Sequence, residues 1–393
     1  MKKLFFPLLA VFAMALTGCS DDEPTMNKII PEDAFPDANF REYVLDQFDI
    51  DADGVISQDE AARVTKIDVS GSNSSRGDIE SLEGIQYFPN LDTLYCRYNK
   101  LTELDLSKNT QLIYLSCSYN RLTALDVSKN TELTSLYCIF NPLTSLDVSK
   151  NTALTTLDCD FNELTALDVS KNTELTYLSC CYNLLTALDV SKNTELTELY
   201  CMCNQLTALD VSKNTELTEL HCYNNQLTSL DMSKNTELKD LRCENNQLTA
   251  LDVSKNTELS ILRCEDNQLT ALDVSKNTEL SILRCGNNQL TALDVSKNTK
   301  LTSLDCGSNQ LTALDVSKNT ALTYLWCNSN QLTSLDVSKT NLGNSSSLLY
   351  PLNCSNMSTL QTLTLKTGWS IEGITYGRST NWIPEHTEII FAD

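Results

Sequence analysis

The stretch LIYLSCSYNRLTALDVSKNTE, residues 112–132, decides the fold because close copies of it follow one another along most of the chain. Its unit is L-x-x-L-x-C-x-x-N-x-L-T-x-L-D-V-S-K-N-T-x, which repeats every 21 residues over residues 91–342 and predicts twelve repeats. A unit this short cannot bury its own apolar face, so neighbouring units must stack and share one core. The sequence therefore predicts a repeat solenoid rather than the two or three domains that 393 residues would otherwise suggest.

Each part of the unit has a predicted place in the coil. The segment x-L-x-C-x is predicted to form a short strand whose Leu and Cys point inward while the variable positions point outward. The later apolar residues, such as Leu122, Leu125 and Val127, close the coil from the other side. The asparagine at the ninth position, such as Asn120, is expected to turn the chain and to bind backbone groups that the coil leaves without partners.

The chain has sixteen cysteines, and twelve of them occupy the same position of the unit, from Cys96 to Cys327. Stacked strands bring successive Cα atoms to about 4.8 Å, which is nominally within disulfide range. However, equivalent side chains run parallel, which suits the disulfide torsion poorly, and a row lacks the tetrahedral closure of a metal site. We interpret this ladder as buried, reduced, small apolar side chains. The cysteines outside it are Cys19, Cys181, Cys203 and Cys354, and a bridge between Cys181 and Cys203 stays open.

Both flanks of the array are predicted to be caps. Residues 39–90 are expected to form a helical cap with helices at 39–48 and 57–64, followed by a degenerate repeat in which Val64-x-x-Ile67-x-Val69 resembles the strand pattern. Residues 343–393 are expected to form a β-rich C-terminal cap with strands near 360–365 and 387–391. An uncapped solenoid end is a template for aggregation, so both ends require cover.

The N-terminus has the pattern of a lipoprotein signal. Lys2 and Lys3 precede an apolar run, too short to span a bilayer comfortably, and then comes Leu16-Thr17-Gly18-Cys19, which resembles the bacterial lipobox. The resemblance implies that residues 1–18 are removed and that Cys19 becomes acylated, which is sufficient for membrane anchoring. The acidic residues 20–23 resemble the export tag of Bacteroides-type lipoproteins, and residues 19–38 read as a tether. We expect a lipid-anchored outer-membrane protein that faces the cell exterior.

The repeat unit resembles the leucine-rich repeats of bacterial internalins, and in particular those in which cysteine replaces a strand leucine and forms a ladder. The resemblance covers residues 91–342 and, more loosely, the helical cap before them. It implies a curved parallel β-sheet with a concave binding face and a role in adhesion. No phosphate loop, nucleophile elbow or zinc signature appears, so we expect no enzymatic activity.

Residues 49–60 fit the calcium-loop pattern D-x-D-x-D-G-x5-E in full. The ligands that this pattern supplies are the carboxylates of Asp49, Asp51, Asp53 and Glu60, the carbonyl of Val55 and the hydroxyl of Ser57. The pattern predicts one structural Ca²⁺ site that clamps the N-terminal cap. The alternative is an acidic turn in which Ser57 and Glu60 only form a capping box for the second helix.

The outward strand positions vary from unit to unit while the frame stays constant. The column that precedes each ladder cysteine reads Tyr95, Ser116, Tyr137, Asp158, Ser179, Tyr200, His221, Arg242, Arg263, Arg284, Asp305 and Trp326. Tyrosine, tryptophan and arginine are enriched at binding hot spots, so its aromatic residues, His221 and the three arginines are the predicted ligand-binding face. The tyrosines also suit strand positions in general, and nearby Glu244 and Glu265 can balance part of the arginine charge.

Three functions remain open for this face, with a protein partner preferred. A carbohydrate ligand is the main alternative because aromatic side chains also grip sugar rings, and a structural spacer is the third. The net charge of −23 excludes nucleic acid as the natural partner, since phosphate binding requires a basic surface.

Overall fold

The computed structural model of the chain describes residues 28–72, 77–342, 351–369 and 383–392. The predicted signal peptide, the lipidation site at Cys19 and the first part of the tether lie outside the described residues. Within those residues, no helix is both long enough and apolar enough to cross a bilayer.

Short strands dominate the described chain. The helices are α1 (Ala38–Phe48) and α2 (Gln58–Ala61), with 3-10 turns at Glu32–Ala34 and Ile85–Tyr87. The strands are β1 Ile29–Ile30, β2 Ile56–Ser57, β3 Lys66–Asp68, β4 Thr93–Tyr95, β5 Tyr114–Ser116, β6 Ser135–Tyr137, β7 Thr156–Asp158, β8 Tyr177–Ser179, β9 Glu198–Tyr200, β10 Glu219–His221, β11 Asp240–Arg242, β12 Ile261–Arg263, β13 Ile282–Arg284, β14 Ser303–Asp305, β15 Tyr324–Trp326, β16 Ser334–Asp336, β17 Leu352–Asn353, β18 Thr362–Lys366 and β19 Glu388–Ala392.

One parallel sheet of 14 strands runs through the molecule, with β3 to β15 in chain order and β17 at the end. Between β4 and β15, neighbouring strands pair residues that are 21 positions apart, as Leu220 pairs with Leu241 between β10 and β11. The middle leucine of each of these strands is fully buried, and the two residues beside it lie on the opposite, solvent side of the sheet. The predicted solenoid is confirmed.

The ninth-position asparagines join consecutive coils, as expected. Asn225 is representative: its Oδ1 accepts a hydrogen bond from the Leu206 amide at 2.9 Å, and its Nδ2 donates to the carbonyls of Cys201 at 3.0 Å and Cys222 at 3.1 Å. One buried side chain thus satisfies backbone groups of two coils that no strand pairing reaches.

A second asparagine ladder, not predicted from the sequence, runs through the K-N-T segment of the unit. Asn214 is fully buried, and its Nδ2 donates to the carbonyls of Val190 at 3.0 Å and Asn193 at 2.8 Å. The sequence signal for it was that this asparagine is constant in eleven of the twelve units, the last unit having Thr340 instead. Its members are Asn109, Asn130, Asn151, Asn172, Asn193, Asn214, Asn235, Asn256, Asn277, Asn298 and Asn319.

The cysteine ladder lies in the core. All twelve of its side chains are fully buried, and no disulfide forms among the fifteen cysteines of the described residues. Burial raises the pKa of these thiols, that of Cys117 to about 12, so the reactive thiolate is scarce. This agrees with the interpretation of the ladder as small apolar side chains.

Cys354 was wrongly placed outside the ladder. Strand β17 pairs directly with β15, and the Cys327 amide donates to the Asn353 carbonyl at 2.9 Å, which puts Cys354 on the next rung. The sequence hides this rung because 27 residues, not 21, separate Cys327 from Cys354. Strand β17 therefore stays in register with β15, although the two cysteines are six residues further apart in the sequence than those of the regular units.

Cys181 and Cys203 have different neighbours. Residues 21 apart lie side by side, whereas these two cysteines are 22 apart. Cys181 Sγ therefore lies 3.2 Å from Met202 Sδ, while Cys203 Sγ accepts a hydrogen bond from Asn224 at 3.3 Å. Cys181 is buried and Cys203 is partly exposed.

We predict that alkylation of the native chain under non-reducing conditions modifies Cys203 alone, because the other fourteen described cysteines are buried. In denaturant, fifteen thiols should react in a chain whose Cys19 is lipidated. Mass spectrometry of both samples measures the two numbers. Two thiols that react in denaturant only after reduction would contradict the unpaired state.

The N-terminal cap is bound tightly to the first coil. Asp37 caps α1 by accepting from the amides of Asn39 and Phe40, both at 3.0 Å, and it also accepts from the Glu80 amide at 2.7 Å. Strand β3 begins the main sheet where the degenerate repeat was predicted. Helix α2 is shorter than predicted because Val64 turns into the core at the start of that first coil.

The C-terminal cap contains a second sheet, which lies on the side of the coil formed by the L-T-x-L-D-V segments and which we call the return side. Strand β16 lies in the L-T-x-L-D-V segment of the last unit and pairs in parallel with β18, which pairs with β19. Strands β18 and β19 match the two strands predicted for this cap. The cap thus adds β17 to the main sheet on one side and β18 to the return side on the other.

Candidate functional site

The acidic loop between α1 and α2 brings its three aspartates together. One carboxylate oxygen from each of Asp49, Asp51 and Asp53 lies within 4.8 Å of the others. Asp49 accepts from the amides of Asp53 at 3.2 Å and Gly54 at 2.9 Å, and the φ of +86° at Gly54 makes the sharp turn. Partial desolvation and the Asp53 carboxylate raise the pKa of Asp51, a repulsion that a bound cation would relieve.

The last residue of the loop, Glu60, is held in the capping box of α2. Its Oε2 accepts from the Ser57 amide at 2.8 Å and the Ser57 hydroxyl at 2.7 Å, and its Oε1 accepts from the Ile50 amide at 2.8 Å. Burial raises the pKa of Glu60, but these hydrogen bonds outweigh it and the pKa is lowered. The capping box therefore exists, and it keeps Glu60 ionised.

The loop is also braced from outside. Strand β1 pairs antiparallel with β2, so that Ile30 lies opposite Ile56, and both isoleucines are buried. Val55 directly precedes this short ladder, and Ser57 belongs to it because it pairs with Ile29. The segment before α1 thus supports the acidic loop. No second calcium-loop pattern pairs with it among the described residues.

The predicted ligand-binding residues all lie on one side of the main sheet, at the third position of their strands; we call this side the sheet face. The tyrosines pack against aromatic residues of neighbouring strands. Ring centroids of Tyr95 and Tyr137 lie 4.8 and 5.5 Å from that of Tyr114, and the ring of Tyr200 lies 4.7 Å from that of His221. At the other end Trp326 stacks on Tyr324 at 5.1 Å.

The arginine ladder is balanced by Asp240 as well as by the two expected glutamates, since Glu244 attracts Arg242 and Arg263 electrostatically and Glu265 attracts Arg284. Arg242 pairs with Asp240, Nη2 to Oδ2 at 2.8 Å. In the described part of the chain, Nε of Arg263, Nε of Arg284 and Oε2 of both Glu244 and Glu265 are buried without hydrogen-bond partners. Burial raises the pKa of Glu265 to about 7 and also raises that of Glu244.

A row of five aromatic residues follows the strands, and we call it the aromatic ladder. Its neighbouring ring centroids lie 4.2–5.6 Å apart, with interplanar angles of 9–35°. Phe140, Phe161 and Tyr182 are 46%, 41% and 42% exposed and line a shallow depression with Pro142. The ladder consists of Tyr98, Tyr119, Phe140, Phe161 and Tyr182.

The backbone under the aromatic ladder is left-handed, with φ between 51° and 58°. This conformation is uncommon for residues other than Gly, Asn and Asp and costs about 1–2 kcal/mol per residue. Most later units carry Asn, Asp or Ser at the same position, among them Asn224 and Asn245. A preference of tyrosine for strands does not explain these five residues, because they lie after the strands. This conformation was not predicted from the sequence.

Comparison with known proteins places the fold. The family model of leucine-rich repeats in two copies matches residues 299–340. The functional domain of InlJ from Listeria monocytogenes, described as including a cysteine ladder, is 36% identical with a TM-score of 0.64, and the match covers 85% of this chain and 81% of that one. The chain belongs to the internalin-like leucine-rich-repeat proteins.

Other matches to this internalin-like protein are shorter or more distant. Internalin J of Listeria monocytogenes is 42% identical over 78 residues, which are 20% of this chain and only 8% of that protein. The internalin InlF of the same species is 23% identical with a TM-score of 0.64, and covers 94% of each chain. A leucine-rich-repeat protein of Leptospira interrogans is 23% identical with a TM-score of 0.64, over 78% of this chain and 85% of that one. The last two show the fold alone, which is typical of interaction and adhesion domains.

Proposed function

We propose that this internalin-like protein is a non-catalytic cell-surface lipoprotein that binds a protein partner through the sheet face and the adjoining aromatic ladder. The observation that carries the proposal is the aromatic ladder itself. Five large apolar side chains occupy a backbone conformation that disfavours them, and three of them are more than 40% exposed. Ligand binding buries this exposed aromatic surface, and exposed patches of this kind mark interaction sites.

A protein partner suits the face better than a sugar does. The sheet face also carries Arg263 and Arg284. Their Nε atoms have no hydrogen-bond partner within the described chain. Aromatic and arginine side chains on one surface are the composition of protein-binding hot spots. The stacked, exposed rings of Phe161 and Tyr182, 4.2 Å apart, favour a glycan as the second candidate.

The location and the metal are part of the same proposal. The internalin relatives are consistent with a bacterial surface protein, and the lipobox at Cys19 supplies the outer-membrane anchor. The loop ligands Asp49, Asp51, Asp53, Val55, Ser57 and Glu60 suit Ca²⁺, which prefers carboxylate and carbonyl oxygen. The role of Ca²⁺ is structural: it holds the two helices of the cap that covers the first coil.

Phe161→Asn tests the proposal without disturbing the fold, because asparagine tolerates the left-handed backbone better than phenylalanine does. We expect unchanged or higher thermal stability and at least a tenfold loss of affinity for the partner, which is about 1.4 kcal/mol. Affinity capture with the chain in calcium, followed by surface plasmon resonance, identifies the partner and measures its affinity. Leu184→Ala is the control, since Leu184 is 44% exposed but lies outside the ladder.

Arg263→Ala separates the two candidate ligand classes, with Arg121→Ala as its exposed control. A captured protein whose binding falls with Arg263→Ala supports a protein partner. Glycan-array binding that is lost with Phe161→Asn, Tyr137→Ala and Tyr200→Ala but survives Arg263→Ala supports a glycan. If neither class of ligand depends on these residues, the binding proposal fails and the chain is a spacer.

A further inference from the structure

Potential metal ligands converge at the middle of the sheet face. Glu219 and His221 are the first and third residues of β10, so their side chains project from the same side of the sheet. Asp240 begins β11 and pairs in register with Glu219. One ligand atom from each of these three residues lies within 4.8 Å of the other two.

The imidazole at this point lacks a hydrogen-bond partner on one nitrogen. His221 is 9% exposed, and its Nε2 has no hydrogen-bond partner among the described residues, although it lies 3.5 Å from Asp240 Oδ2. A buried polar atom without a partner is uncommon and requires an explanation. Its direction toward a carboxylate is the arrangement of two ligands that share a cation.

The two carboxylates are held by neighbouring side chains. The Tyr200 hydroxyl lies 2.6 Å from Glu219 Oε2 and 2.8 Å from Glu198 Oε2, and its single proton is donated to one of these two carboxylates at a time. Arg242 donates through Nε and Nη2 to Asp240, and together with His221 it lowers the pKa of Asp240 despite burial. Partners of this kind fix the orientation of metal ligands. The carboxylates of Glu198, Glu219 and Asp240 and the guanidinium of Arg242 together carry a formal charge of about −2, which matches a divalent cation.

We propose that Glu219, His221 and Asp240 form a site for a divalent transition metal, with Zn²⁺ as the best match. Imidazole with two carboxylates is a donor set suited to Zn²⁺, and three protein ligands leave a fourth position open. Ligand distances of about 2.0–2.2 Å require only side-chain movement, because the strands already set the spacing. The site depends neither on the protein partner nor on the calcium loop.

Isothermal titration calorimetry of the full-length chain with Zn²⁺ tests the proposal. The chain is first treated with EDTA, dialysed and saturated with Ca²⁺, so that the acidic loop does not compete. We expect one equivalent of Zn²⁺ to bind, and His221→Gln and Asp240→Asn to weaken binding at least tenfold. Glu265→Gln is the matched control, since it changes a buried carboxylate on the same face and should leave the affinity unchanged.

Thiols are the competing ligands, and Cys203 is the partly exposed one. Cys203→Ser should leave Zn²⁺ binding unchanged. Co²⁺ bound to the unmodified chain should show d–d bands without thiolate charge-transfer absorption, a readout that needs no variant to fold. The proposal is overturned if the chain binds no stoichiometric Zn²⁺, if His221→Gln binds as tightly as the unmodified chain, or if Co²⁺ shows thiolate bands.

Discussion

Asn225→Ala is expected to lower the free energy of unfolding by about 3 kcal/mol, since each buried polar group left without a partner costs about 1–3 kcal/mol. The substitution removes the acceptor of the Leu206 amide and the donor to the carbonyls of Cys201 and Cys222. These groups belong to two successive coils. Water cannot replace the side chain at full strength, because the site is buried between the coils.

Urea denaturation followed by far-ultraviolet circular dichroism measures this effect. Gln226→Ala is the control, because Gln226 is the exposed neighbour of Asn225 in the same turn. Asn214→Ala in the second ladder should cost less, about 2 kcal/mol, since Asn214 donates two hydrogen bonds and its Oδ1 accepts none in the described chain. Equal midpoints for Asn225→Ala and Gln226→Ala would show that the ladder does not hold the coils together.

Removal of Ca²⁺ is expected to destabilise the N-terminal cap by about 2.7 kcal/mol relative to Ca²⁺ at a hundredfold excess over its dissociation constant. The effect arises because Ca²⁺ binds the folded loop, whose three aspartates otherwise repel one another. End units of a solenoid can open without the rest. The loss should therefore appear as faster amide hydrogen exchange in α1 and α2, and as a lower melting temperature in EDTA.

Asp51→Asn and Asp46→Asn separate metal binding from a general effect of charge. Asp51 lies in the acidic loop, whereas Asp46 is an exposed aspartate on the neighbouring α1. Asp51→Asn should abolish the response to Ca²⁺, and Asp46→Asn should retain it. If Ca²⁺ added after EDTA changes neither the melting temperature nor the exchange of α1 and α2, the loop is only a capped turn.

Much of the fold could be predicted because the unit repeats with constant spacing. A period of 21 residues places each residue of a unit beside the equivalent residue of the next coil, as Leu220 lies beside Leu241. The pattern within one unit therefore predicts the strand register of the whole sheet. The sheet, the buried cysteine row and the members of the sheet face follow from it. Prediction failed where the spacing changes, as at Cys354, since the strand register there depends on pairing with β15.

The two candidate metal sites also differ in whether the sequence predicts them. The acidic loop could be read from residues 49–60 because all of its ligands lie within twelve positions of one another. The convergence of Glu219, His221 and Asp240 could not, because Asp240 is 19 residues from His221 and approaches it only through the pairing of β10 with β11. The left-handed turn under Phe161 was also hidden, since aromatic residues carry no signal for that conformation.

The sequence by itself determined the solenoid, its inward and outward side chains and the calcium-loop pattern, because each of these depends on residues that are close in the chain or related by one period. Only the tertiary structure decided which side chains from different coils meet, which buried atoms keep no partner and which aromatic residues sit on left-handed backbone. These properties depend on side-chain direction and on hydrogen bonds between coils. A pattern of residue types specifies neither.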